Sequence, residues 1–250
     1  MHFIQIISSL LLANFLINQN EHCSGGKIMY IFETVFDIAY LIFVVTLGII
    51  MIFKANGNKQ YQLFGWMSVI LGVGDSFHLI PRVYSMWSAG GFEANAAALG
   101  IGQFITSITM TVFYVVLYAV WRERYNIKKQ NALTITIIAL AIIRIALCFA
   151  PQNAWMSVDA PLAWGIYRNI PFAIIGIIMI VLFYKQASKN NDKAFRFMWL
   201  AITLSFAFYA PVVLFSKVFP PIGALMLPKT VAYVFIVCMG YNEMKSKVRV

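Results

Sequence analysis

Charge is scarce in this chain: Asp, Glu, Lys and Arg together make up 11% of its 250 residues, where a soluble domain carries about 25%. Against that stands 61% hydrophobic residues and a mean hydropathy of +0.79. No polar stretch reaches the ~50 residues that a separate soluble domain needs, which excludes an appended catalytic or signalling domain. Cysteine is limited to Cys23, Cys148 and Cys238, with no C-x-x-C spacing, so neither a redox motif nor a cysteine metal site is indicated. Histidine is as rare, and only His78 falls inside an apolar segment, whereas a zinc site needs three or more ligands. H-E-x-x-H, G-x-S-x-G and Walker patterns are absent. No metal and no cofactor is expected. The net charge of +10 would point to nucleic acid in a soluble protein. Here it is expected to be loop charge that sets membrane topology, with the lipid bilayer as the partner.

Long apolar runs are what the chain has. Seven are long enough to cross a bilayer, which takes about 20 helical residues. They read as 29–53, 61–85, 96–121, 131–150, 163–184, 195–216 and 222–241. They lack the alternation of barrel strands, so the expected fold is an all-α membrane protein of seven transmembrane helices. Residues 29–250 are expected to form one membrane domain. Residues 1–28 hold a short hydrophobic segment, Phe3 to Ile17, and an outer loop. That segment is either a signal sequence or an extra helix, because no basic residue precedes it and Cys23-Ser24-Gly25-Gly26 is only a loose cleavage site.

The loops are sharply biased in sign. Lys54 and Lys59 follow the first span. Arg122, Arg124, Lys128 and Lys129 follow the third. Lys185, Lys189, Lys193 and Arg196 follow the fifth, and Lys245, Lys247 and Arg249 the seventh. The opposite loops hold only Lys27 and Lys217. The positive-inside rule then places the start of the first span outside and the C-terminus in the cytoplasm. The expected location is the cell membrane. Cys23 and Cys148 would both lie near the outer face, where a disulfide between them is open.

Charges inside the spans are the functional signal. Each costs about 2.5–3.5 kcal/mol at the bilayer centre on insertion scales. Arg82, Arg144, Arg168 and Lys229 stand in four different spans, and Glu33, Asp37 and Asp75 keep them company. With the topology above, all seven fall in the outer half. All eight prolines fall there or in the outer loops: Pro81, Pro151, Pro161, Pro171, Pro211, Pro220, Pro221 and Pro228. An interior proline removes a helical hydrogen bond and kinks the helix, so a splayed outer half over a regular inner half is expected.

Spacing groups these residues. Asp75, His78 and Arg82 stand at i, i+3 and i+7, and Glu33, Asp37 and Tyr40 at i, i+4 and i+7, each set on one helix face. Gln103, Thr106, Met110 and Tyr114 form a mixed stripe with Ser107, Thr109 and Thr111 beside it. Ser and Thr in membranes commonly satisfy backbone groups, so the stripe is weaker evidence. Trp87, Trp121 and Trp155 read as interfacial anchors. Trp164, Tyr167, Arg168 and Asn169 are denser than anchoring requires, and an Arg among aromatic rings and amides suits a planar or anionic group.

The expected ligand-binding set is therefore Asp75, His78, Arg82, Gln103, Arg144, Trp164, Tyr167, Arg168, Asn169, Tyr209 and Lys229. Glu33, Asp37, Asp75, Arg144 and Lys229 are expected to form an interhelical charge network. Three acids against four bases leave one cation for a ligand: a small anion, a zwitterion or a lipid headgroup. A transporter fits best, since intramembrane charges mark transport pathways. The alternatives are a receptor or sensor working through a separate cytoplasmic partner, and an intramembrane lipid-modifying enzyme using Asp75 and His78. Lys229, a lone Lys in the seventh of seven spans, resembles the plan of the retinal-binding opsins, but the third span has no acid for a counter-ion and Pro228 directly precedes the Lys. Pro151-Gln152 resembles the motif of PQ-loop transporters, which carry it twice where this chain has it once.

Overall fold

The computed structural model describes residues 24–248, and these residues are helical with no strand. The N-terminal segment and the pairing of Cys23 lie outside the described residues. Seven helices are long and apolar enough to cross a membrane. We number them α1 (Ser24–Phe53), α2 (Lys59–Trp87), α3 (Ala96–Arg124), α4 (Asn131–Phe149), α5 (Leu162–Lys189), α6 (Met198–Phe215) and α7 (Met226–Val248). One helical turn, Gly91–Ala94, sits before α3, and 3-10 turns occupy Pro151–Asn153 and Pro220–Leu225. Each helix packs on the next in sequence, and α7 packs back on α1, so the bundle closes into a ring. Further contacts join α2 to α7 and α3 to α5.

The buried residues keep a helical period even though the lipid faces are also apolar. On α3 they are Met110, Phe113, Tyr114, Leu117, Tyr118 and Trp121. On α2 Phe64, Met67, Leu71 and Asp75 share one face. The carboxylate thus lies on the stripe that faces the other helices. Phe64, Phe183 and Phe195 meet in the same core, with rings 5.7 Å and 6.4 Å apart from Phe195.

Helix ends at the basic side are capped by asparagines with φ near +50°. Asn126 (φ 51°) ends α3 and lets the Ile127 amide reach the Arg122 carbonyl at 2.9 Å. Asn191 (φ 47°) ends α5 and lets the Asp192 amide reach the Ala187 carbonyl at 2.9 Å. Both are Schellman closures, which tolerate Asn in the left-handed region. The second one delivers Asp192 to the end of α3.

Prolines inside helices are Pro81, Pro171 and Pro211, all at the opposite end of the bundle. Pro228 is the third residue of α7, where its missing N–H would have had no helical partner in any case. Pro81 leaves the Phe77 carbonyl without its usual donor. That carbonyl faces Gly102 of α3 so closely that a Cβ there would lie 2.1 Å from the oxygen. Gly100, two residues earlier and so on another side of α3, faces the Trp155 carbonyl even more tightly, with a Cβ at 1.4 Å. Gly102→Ala is expected to lower stability by about 1–3 kcal/mol, the range for overpacking. Gly223→Ala, where nothing lies within 4 Å, should change it by less than about 0.5 kcal/mol. Thermal unfolding of both variants in detergent checks the contrast, and equal effects would contradict the close approach.

Candidate functional site: a charged cavity at the proline-rich end

The proline-rich end of the ring holds a half-open cavity of about 760 Å³. Sites for small molecules commonly fall in a range of about 300–1,000 Å³. Around it stand Asp75, His78 and Arg82 from α2, Gln103 from α3, Arg144 from α4, Arg168 and Asn169 from α5, Tyr209 from α6 and Lys229 from α7. Glu33 and Asp37 line it from α1. Trp164 and Tyr167 do not line it. Their rings pack edge-on against each other at 5.8 Å, and Tyr167 is exposed on the outer surface of α5.

The seven intramembrane charges are not paired as expected. Arg82 forms the single direct ion pair among them, donating from Nε to Glu33 at 2.5 Å, with its guanidinium also over the Phe92 ring. Asp75, 9% exposed, accepts a hydrogen bond from the Tyr40 hydroxyl at 2.7 Å. Lys229 is the base in electrostatic reach of Asp75 but is not in ion-pair contact with it. Its Nζ instead lies 4.8 Å from the Tyr209 ring centre and 5.6 Å from that of Tyr233. Asp37 is buried, and its Oδ2 has no hydrogen-bond partner. The correction has a physical reason. Helical spacing fixes which face a side chain takes but not how far the facing helix stands off, and here the gaps exceed an ion-pair distance.

Arg144 departs furthest from the expected network. It is 2% exposed, the largest fully buried side chain in the protein's described part. Its Nε and Nη1 have no hydrogen-bond partner, and no carboxylate is paired with it. The guanidinium lies over the Phe172 ring at 3.4 Å, a cation–π contact. An unpaired buried guanidinium is costly, so its presence here calls for an explanation beyond packing.

Arg168 shares the neighbourhood and feels the Arg144 charge. Its Nη1 donates to Asn153 Oδ1 at 2.8 Å, and its guanidinium lies 4.2 Å from the Trp155 ring centre. Asn153 is fully buried. Its amide donates to the carbonyls of Leu147 at 2.7 Å and Ala150 at 2.9 Å, which fixes the acceptor oxygen toward Arg168. Trp155 donates from Nε1 to the Cys148 carbonyl at 2.8 Å. The expected anchor Trp155 is thus the ring beneath Arg168. The α4–α5 connection, with Ala154 at φ 47°, folds Asn153 and Trp155 inward, and only Pro151 before them hinted at a tight turn. Cys148 is buried and free.

The remaining polar groups are mostly satisfied within the bundle. Thr106 donates to the Gly74 carbonyl at 3.0 Å, Ser107 to that of Gln103 at 2.7 Å and Thr111 to that of Ser107 at 2.7 Å. Tyr209 donates to Asn169 Oδ1 at 3.1 Å. His78 Nδ1 is buried with no partner, and no hydrogen bond joins it to Asp75. A base-orienter pair of Asp75 with His78 is therefore not assembled. Among the described residues, no group of three or more His, Cys, Asp or Glu side chains could hold a metal ion.

No protein-family model, no curated protein and no solved structure matches this chain. What the fold defines is a class: a polytopic helical membrane protein.

Proposed function

We propose that this protein binds a small anionic or zwitterionic molecule, or a lipid headgroup, in the charged cavity, and that it carries its ligand across the cell membrane as a transporter. The observation that carries this reading is the pair Arg144 and Arg168, two guanidinium groups lining one cavity with no carboxylate paired to either. Loop charge supports an orientation with the C-terminus in the cytoplasm and the start of α1 outside, which opens the cavity outward. Residues 29–250 then form one membrane domain. A receptor acting through a cytoplasmic partner would use the same cavity, and uptake into proteoliposomes separates the two.

Binding is tested first. Inorganic phosphate, acetate or glycine added to the purified protein is expected to raise its unfolding midpoint by mass action. Saturation at 100 times Kd corresponds to about 2.7 kcal/mol. Arg168→Ala is expected to reduce that shift by at least half while the protein stays folded, because the second guanidinium and its Trp155 platform are lost. A screen of carboxylates, phosphates and headgroups with no stabilising hit would overturn the reading.

A further inference from the structure

The charges around the cavity do not merely leave a surplus cation. They leave a pattern. Glu33 neutralises Arg82 by direct contact, and Asp75 and Lys229 face each other electrostatically. Glu93 and Lys217 also line the cavity but are exposed, and Lys217 donates to the Ala160 carbonyl. Three groups remain without an ion-pair partner: Arg144 and Arg168 on one side, and on the other Asp37, whose charged neighbour Arg82 is already in contact with Glu33. Arg144 and Asp37 are both more than nine-tenths buried, and both present unpartnered polar atoms in the lining. Arg144 and Arg168 come from α4 and α5, which pack together, and Asp37 from α1, which packs between α2 and α7. In the closed ring these are opposite walls.

Resting on the anion-binding reading above, we infer that the ligand is a phosphate ester bearing an ammonium group, with its phosphate at Arg144 and Arg168 and its ammonium at Asp37. The unmatched wall charges are two positive and one negative. A phosphate monoester carries about −1.5 to −2 at pH 7, which two guanidinium groups complement. A single ammonium complements Asp37. A carboxylate would leave one guanidinium unmatched, and a ligand without an amine would leave Asp37 facing two added negative charges across the cavity. The Phe172 and Trp155 rings beneath the two guanidinium groups hold them flat. Arg144 keeps two edge nitrogens, Nε and Nη1, without a partner, and these are the donors assigned to the phosphate oxygens.

The test compares phosphoethanolamine with ethyl phosphate, the same phosphate without the amine, by thermal shift and by isothermal titration on the purified full chain. Phosphoethanolamine is expected to bind at least about ten-fold tighter, the effect of one charge-assisted bond. In Asp37→Asn that preference should shrink to about two-fold while ethyl phosphate binding persists. In Arg144→Gln both ligands should be lost, and Arg144→Lys should restore part of the binding of each. Lysophosphatidylethanolamine forms a third arm. Its phosphate is a diester with a single negative charge, so it is expected to bind more weakly than phosphoethanolamine; tighter binding that depends on Asp37 would overturn the monoester and assign the site to a lipid headgroup. Equal binding of ethyl phosphate and phosphoethanolamine to the unaltered protein would overturn the ammonium subsite and leave the anion pocket standing. No binding of either would overturn both.

Discussion

Arg124→Met is expected to destabilise the protein by about 3–5 kcal/mol, the cost of stripping one partner from a buried ion pair. Arg124 ends α3 and grips Asp192 with two bonds, Nε at 2.5 Å and Nη2 at 2.7 Å, while Nη1 reaches Glu243 of α7 at 3.0 Å. All three side chains are at most 13% exposed. Asp192 also accepts from the Tyr125 hydroxyl at 2.9 Å and from the Ala194 and Phe195 amides, so the group ties α3, the α5–α6 turn and α7 into one unit. Arg124→Lys keeps the charge and loses the two-pronged geometry, and its loss should be smaller. Burial pushes the Asp192 carboxyl up, but the hydrogen bonds and charge of Arg124 outweigh it and hold the group below the usual carboxylate range. A lowered folded-state value means that this contribution is complete above the unfolded value, about 3.9, and is lost as pH falls through the folded one. Denaturation midpoints of Arg124→Met and the unaltered protein from pH 7 to pH 3 check both points. Equal stability at pH 7, or a gap that fails to narrow in acid, would contradict the network.

Arg144→Met should move stability the other way. An unpaired guanidinium at 2% exposure is a burden that a flexible apolar side chain of similar length removes, so the ligand-free protein is expected to gain about 1–4 kcal/mol. The same change should abolish stabilisation by phosphate and phosphoethanolamine. Gain of stability with loss of binding is the signature of a residue kept for function. A structural residue would show a loss of stability instead, and that outcome in the denaturation curve would place Arg144 in the scaffold.

The spans were legible because hydropathy over about 20 residues is a coarse property that the bilayer itself enforces. The sharing of one end by charges and prolines was legible too, since both follow from residue positions along helices of alternating direction. Pairing was not. The i, i+3 and i+7 spacing puts Asp75, His78 and Arg82 on one face, yet it says nothing of Tyr40 on α1, which takes the Asp75 carboxylate. Nor does spacing show that Arg144 stands alone over Phe172. Asn153 and Trp155 lay hidden for another reason: their roles depend on a left-handed residue, Ala154, that no residue type announces. Trp164 and Tyr167 misled because local density in sequence is not density in space, and one turn of helix spreads its side chains around the full circle.

Ring closure has a consequence for biogenesis. Helices enter the bilayer in the order of synthesis, and domains generally form from the N-terminal side. Asp75 meets its Tyr40 partner as soon as the first two spans are in place. Glu243, the second carboxylate on Arg124, and Lys229, the base facing Asp75, arrive only with the last span. Until then Arg124 holds one acid instead of two, Asp75 has no opposing charge, and α1 has an open flank where α7 will dock. A chain halted before its final helix would therefore leave Asp75 without its opposing base at one end, Arg124 with half its grip at the other, and the flank of α1 uncovered, so the seventh span completes what the other six leave open.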